Sequence, residues 1–163
     1  MTIHMHKQLT STLLSIYGFA FSLMLFPSLT SAFAQDQKVA NYATGRAGTR
    51  DYEHLSFWVR GNRLDEIDYG FGKGWSAKEV KLTYLGRDVV KGEAGFKLRF
   101  PDGHRLLIIP KGSSLKVIDS ENNFVRYFRW EYEGPINGRG TFCDVCAQDE
   151  KEAMHLVRKY LMR

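Results

Sequence analysis

Apolar and polar residues alternate along most of this chain, and this two-residue period is typical of half-buried β-strands. Seven such runs follow one another between His54 and Tyr132. Turn signals separate them; in Pro101-Asp102-Gly103, for example, proline presets one backbone angle and glycine accepts a positive one. No helical period lies between the runs, so we predict that they pair as antiparallel neighbours. The predicted strands are 55–60, 63–71, 79–84, 95–100, 105–109, 115–118 and 124–132.

The period changes near the C-terminus, where apolar residues recur three and four positions apart, as on one face of a helix. Asp149, followed by Glu152 three residues later, is a capping-box pattern for the helix start. A start with Asp144 as the cap is the alternative. We predict a helix over residues 147–162 whose apolar stripe packs on the sheet. The stripe consists of Ala153, Leu156, Val157, Tyr160 and Leu161.

The N-terminal residues have the pattern of an export signal. Lys7 precedes a mostly apolar stretch over residues 13–29, and Ala32-Phe33-Ala34 offers the small residues that a signal peptidase recognises. An uncleaved membrane anchor is the alternative. We expect residues 1–34 to be removed as a signal peptide, with no later run long enough to span a membrane. The remaining chain would then be exported, either to a periplasm or to the outside of the cell.

Together these patterns predict a mainly β fold of the α+β class. The strands would form an antiparallel meander, as a curved sheet or small barrel, with one C-terminal amphipathic helix packed on it. Residues 35–52 are polar and have no periodic apolar face, so we expect a loose polar entry segment there. Residues 53–163 would form a single β-rich domain, whose length is near the usual size of one domain.

The formal net charge of the chain is +5 at pH 7 with neutral histidines. No run of five or six like charges occurs, and export removes most nucleic acid from reach. The sequence therefore argues against nucleic acid as a partner. The modest positive excess is compatible with an anionic partner such as a glycan, a phospholipid surface or an acidic protein, although a soluble surface explains it more simply.

The chain contains two cysteines, Cys143 and Cys146, just before the predicted helix. In an exported protein, such a pair favours a local disulfide that fixes the start of the helix. The C-x-x-C spacing at a helix N-terminus is also the geometry of redox sites, in which Cys143 would attack and Cys146 would resolve. The motif follows all the strands, however, instead of opening the helix of a β-α-β unit. No spacing predicts the further ligands of a metal site, and no cofactor motif occurs.

Aromatic side chains occupy both faces of the predicted strands. Either the helix or a partner covers the second face, or an aromatic groove binds a ligand. We predict an exported, non-catalytic binding or interaction domain for an anionic or aromatic-compatible ligand, which would be a protein, a glycan or a small molecule. An extracytoplasmic thiol-disulfide protein and a purely structural envelope component are the alternatives. The candidate ligand-binding residues are Trp58, Tyr69, Tyr84, Arg99, Tyr127, Arg129 and Trp130.

Overall fold

A computed structural model of the chain describes residues 37–72, 78–132 and 143–163. The predicted signal peptide, residues 1–34, lies outside these described residues. Within them the chain forms nine β-strands and one C-terminal α-helix. The strands are β1 (Gln37–Thr44), β2 (Glu53–Arg60), β3 (Arg63–Phe71), β4 (Lys78–Lys81), β5 (Thr83–Val90), β6 (Glu93–Arg99), β7 (Arg105–Lys111), β8 (Ser114–Asp119) and β9 (Phe124–Glu131), and the helix is α1 (Glu150–Leu161).

All nine strands belong to one antiparallel sheet with the order β4-β3-β2-β1-β9-β8-β7-β6-β5. The two edge strands, β4 and β5, are consecutive in the sequence and only Leu82 separates them. The backbone N–H of Leu82 donates to the carbonyl of Ile67 on β3, at 2.8 Å. Because one residue carries the chain from one edge of the sheet to the other, the sheet must curl into a half-barrel. The predicted mainly β fold with a packed C-terminal helix is confirmed.

The predicted loose entry segment, residues 35–52, is wrong in its first half, because β1 lies there and occupies the centre of the sheet. Ala40 and Tyr42 are buried on the inner face of β1, while Val39 and Ala43 are buried on the outer face. A strand covered on both faces does not need the apolar-polar alternation that marks a half-buried one. This is why the sequence pattern missed β1.

The predicted strand over residues 79–84 is also incomplete, because the structure divides it between β4 and a longer β5. β5 continues through Gly86, where the pairing with β6 shifts register and the backbone takes a φ of 109°. Glycine tolerates this positive φ. Gly86 therefore permits a bulge within β5, although a glycine in a sequence usually indicates the end of a strand.

The inner face of the curled sheet carries the apolar core. The alternation predicted for these strands is seen on β2, β3, β6 and β9, where most inward aliphatic and aromatic side chains are almost fully buried. Burial of one such side chain contributes about 1.5–3 kcal/mol relative to its exposure. The largest contributors from these strands are Leu55, Phe57, Ile67, Phe96, Leu98 and Phe128.

The helix covers one end of the half-barrel. Asp149 caps its start and accepts a hydrogen bond from the backbone N–H of Glu152 at 2.7 Å, so the alternative start with Asp144 as the cap is wrong and the helix is shorter than the predicted 147–162. The hydroxyl of Tyr160 donates to the carbonyl of Gly61, in the turn between β2 and β3, at 2.9 Å. The hydroxyl of Tyr84 donates to the carbonyl of Leu161 at 2.7 Å. The opposite end of the half-barrel, where β2 begins and β3 ends, lies away from the helix.

Cys143 and Cys146 form a disulfide, as predicted. The segment that contains them runs beside β1, where the backbone N–H of Val39 donates to Val145 and the N–H of Ala147 donates to Val39, both at 2.8 Å. The disulfide segment therefore continues the sheet on the side of β1 that β9 occupies further along, and it leads directly into the helix. Among the described residues, no helix combines the length and apolar character required to cross a membrane.

We predict that reduction of the disulfide lowers the free energy of unfolding by about 2 kcal/mol, because the bond closes a loop of only a few residues. Urea unfolding with and without dithiothreitol measures this difference, and the C143A/C146A variant in oxidising buffer serves as the control for the reductant. A reduced protein that no longer unfolds cooperatively would contradict the prediction, since it would mean that the bond holds the whole domain together.

Candidate ligand-binding site

A cavity of about 720 Å³ opens at the end of the half-barrel that the helix does not cover. Its walls come from the last residues of β3, the first residues of β2 and β9, and the turns that join β6 to β7 and β8 to β9. Tyr69 and Phe71 reach the cavity because they continue the inward-facing alternation of Ile67. The same two-residue period that builds the core therefore also builds the cavity wall.

Aromatic rings form one part of this wall. Tyr69 and Phe100 pack edge to face, with their ring centroids 5.1 Å apart, and Phe71 lies 6.4 Å from Tyr69. Phe71 keeps 41 % of its surface exposed, although it lies next to the core. Edge-to-face rings are held in a defined orientation, so the cavity offers a fixed apolar surface with one accessible ring. Phe124, at the start of β9, is the fourth ring of the lining.

Asp119, the last residue of β8, is a buried carboxylate at the cavity wall. Its oxygens accept hydrogen bonds from the backbone N–H groups of Glu121 and Asn122, from the side-chain amide of Asn122 at 2.9 Å and from His104 Nε2 at 2.8 Å. Burial raises the pKa of Asp119, but the bonds from Asn122 and His104 outweigh burial and hold its pKa below the ordinary value. Asp119 therefore organises the turn between β8 and β9 as a charged group.

His104 connects the two turns that border the cavity. Its Nε2 lies 2.8 Å from Asp119 and its Nδ1 lies 2.9 Å from a carboxylate oxygen of Glu121. Only the protonated imidazole can donate from both nitrogens at once. Partial burial lowers the pKa of His104, but the hydrogen bonds to Glu121 and Asp119, together with their charges, outweigh burial and raise it. The histidine thus joins the turns most firmly when it is charged.

Glu53 forms a second polar cluster on the inner face. One of its oxygens accepts a hydrogen bond from the hydroxyl of Tyr69 at 2.5 Å, and the other pairs with the guanidinium of Arg126. The guanidinium also lies over the ring of Phe124, 4.5 Å from its centroid. These contacts tie β2, β3 and β9 together at the open end, and they engage Arg126 with both a carboxylate and an aromatic face.

The candidate residues from the sequence do not form one site. Tyr69 lines the cavity, but Tyr84 faces the interior near the end of the helix, and Trp130 packs against the core beside Tyr132. The other four lie on the outer face of the sheet. There Trp58 donates to Asp68 at 2.9 Å, while Tyr127 is 55 % exposed. The remaining outer-face candidates are Arg99 and Arg129, both exposed.

Sequence reasoning missed the residues that shape the cavity most. The candidate residues predicted from the sequence include none of Phe100, Glu53, Asp119 and His104, all of which line the cavity. A local signal existed for Asp119, because an aspartate that precedes a polar turn often accepts bonds from the backbone two and three residues later. No local signal joins it to His104, which lies 15 positions earlier. Within the residues that the structure describes, no group of three His, Cys, Asp or Glu side chains is arranged to hold a metal ion.

We predict that the H104Q substitution destabilises the protein most below pH 6.5, the ordinary pKa of histidine, and progressively less as the pH rises. Folding raises the pKa of His104, so its stabilising contribution is complete below the unfolded pKa and is lost as the pH passes the folded pKa. Urea unfolding of both proteins across this range measures the difference. His54 has a pKa that burial lowers, so its effect on the pH dependence of stability is opposite to that of His104. Because both proteins contain His54, its contribution cancels when the two free energies of unfolding are subtracted.

An NMR titration of the His104 ring supplies the independent check. The wild-type ring should titrate above pH 6.5, and the E121Q substitution should move the midpoint downward, because it removes one of the two carboxylates. A midpoint at or below 6.5 in the wild-type protein would contradict the charged connection between the turns.

Comparisons with known proteins add no information about this site. The chain matches no protein-family model, no curated protein and no solved structure. The residues at the open end offer aromatic rings to an apolar group and carboxylate oxygens to hydrogen-bond donors.

Proposed function

We propose that this chain is a non-catalytic binding domain that takes a small ligand into the cavity at the open end of its half-barrel. The cavity itself is the observation that carries the proposal. Its volume of about 720 Å³ falls within the range of roughly 300–1,000 Å³ that is usual for small-molecule sites. Its lining combines aromatic rings with a few polar groups, which is also the usual composition of such sites.

The walls of the cavity are held in place before any ligand arrives. His104 and Asp119 join the two bordering turns, and Glu53 with Tyr69 and Arg126 joins the three strands beside them. A preformed site spends little binding free energy on ordering loops or side chains. This favours ligand binding at the open end over a site that would have to assemble on the outer face.

We also propose that the protein works outside the cytoplasm, as the signal-like pattern of residues 1–34 indicates. The disulfide fits an oxidising compartment. The sequence predicted a ligand that is anionic or compatible with aromatic rings. We do not propose an anionic ligand for the cavity, because Arg99 and Arg129 lie on the outer face. We keep the aromatic-compatible ligand, because Tyr69 lines the cavity.

The thiol-disulfide alternative loses the physical argument that supported it. Helix α1 begins at Glu150 after its cap at Asp149, so both cysteines lie outside the first helical turn. Within that turn, the backbone N–H of Glu152 donates to the side chain of Asp149, so it does not stabilise a thiolate. We therefore place the working surface of the protein at the cavity.

A dye-binding experiment tests the proposal. The neutral fluorescent dye N-phenylnaphthylamine should bind the wild-type protein, and V80W should weaken binding about tenfold or more, because an indole at this lining position occupies the cavity. V89W is the matched control: the same substitution is made on β5 at a residue that is 64 % exposed and outside the lining. Equal dye binding by V80W and V89W would contradict the proposal.

NMR of the wild-type protein locates the dye without depending on how a variant folds. Addition of the dye should shift the backbone amides around the open end, in residues 53, 69–72, 100–106 and 119–124. Shifts confined to the outer face or to the helix would place the binding surface elsewhere and would overturn the proposal.

A further inference from the structure

We infer that the ligand of this cavity is a small organic cation, with an ammonium or similar group attached to an apolar or aromatic body. The inference rests on the proposed function and names the chemical class that the site accepts. It follows from three features of the open end: the balance of charges in the lining, the carboxylate oxygens that keep free acceptor capacity, and the way in which the site already holds two cations.

The charges in the lining are predominantly negative. Glu53, Asp102, Asp119 and Glu121 all line the cavity, whereas the described lining residues include neither lysine nor arginine. His104 supplies one positive charge when it is protonated. Arg126 neutralises Glu53 from the inner face, where it forms an ion pair. Even with both cations counted, the carboxylates remain in excess, so an entering anion would be repelled.

Two carboxylates at the rim keep an oxygen available. Asp102 uses Oδ1 to accept the backbone N–H of His104 at 3.0 Å, and Glu121 uses Oε2 to accept the ring of His104 at 2.9 Å. No described residue donates to the other oxygen of either side chain. Glu121 is well exposed, with 58 % of its side chain accessible. An ammonium group entering the cavity can therefore bind either of these oxygens without displacing a partner.

The open end also shows how it binds a positive charge. Arg126 lies over the face of Phe124 and pairs with Glu53, so one guanidinium is held between a ring and a carboxylate. Phe71 and Phe100 offer further aromatic surface in the same lining as Asp102 and Glu121. A ring face next to a carboxylate is a favourable setting for an organic cation, because both attract its charge.

The position of His104 between Asp119 and Glu121 is consistent with the negative charge of this lining. Asp119 and Glu121 raise its pKa although partial burial acts in the opposite direction. A raised histidine pKa means that this part of the cavity wall favours a positive charge over a neutral group. A ligand cation placed beside the same carboxylates would experience the same attraction, weakened by salt because the rim is open to solvent.

A matched series of small probes tests this inference on the full folded protein at neutral pH. Phenethylamine is the cation, phenylethanol is the neutral analogue and phenylacetate is the anion, and each is titrated against the dye N-phenylnaphthylamine. We expect phenethylamine to bind about tenfold more tightly than phenylethanol, and phenylacetate to bind more weakly than either. The advantage of the cation should shrink as sodium chloride is added.

Two pairs of substitutions test whether the carboxylates of Asp102 and Glu121 cause the preference for the cation. D102N combined with E121Q should remove the preference for the cation, so that phenethylamine and phenylethanol bind this variant with about the same affinity. D144N combined with E150Q is the matched control, because it also removes two carboxylate charges, both at exposed residues outside the cavity lining. Loss of the cation preference in this control as well would overturn the inference, since only net charge would then matter.

The remaining outcomes separate the inference from the function on which it rests. Equal binding of the amine and the alcohol, or tighter binding of the anion, would overturn the cationic ligand and leave the binding cavity in place. If neither the dye nor any probe shifts the amides around the open end, the binding function falls, and the inference falls with it.

Discussion

The single residue between β4 and β5 constrains the whole structure. Leu82 carries the chain from one edge of the sheet to the other, so the sheet has to bring its edges together. Curling encloses the apolar faces of all the strands on one side, and burial of this surface is the main stabilising contribution. Curling also gives the half-barrel two ends. The single helix covers one of them and leaves the other open.

The covered end and the open end satisfy their polar groups in different ways. At the covered end, hydroxyls donate to backbone carbonyls: Tyr84 donates to Leu161 at the end of the helix, and Tyr160 of the helix donates to Gly61. At the open end, charged side chains bond to one another: His104 with Asp119 and Glu121, and Arg126 with Glu53. Charged groups beside a core are costly unless they are paired, so these pairs let the inner face end in a polar, accessible cavity.

The sequence predicted much of the fold and little of the site, for a physical reason visible in particular residues. Phe57, Phe96 and Phe128 belong to predicted strands with a period of two, and they lie in the core because burial of one sheet face imposes that period. The alternation did not reveal β1, because side chains on both faces of this strand are buried, as Val39 and Ala40 show. At the site, Tyr69 was identified as a candidate, but its partners Glu53 and Phe100 come from other strands and turns.

The sequence by itself determined the strands with one buried face, the capped helix and the local disulfide. Each of these depends on residues a few positions apart, whose interactions are set by local backbone geometry. Only the tertiary structure decided that β1 lies at the centre, that the edges meet at Leu82 and that one end stays open. Alternation records which side of a strand faces the core, but not which strand lies beside it. For that reason the meeting of His104 with Asp119, and of Glu53 with Arg126, could be read only from the folded chain.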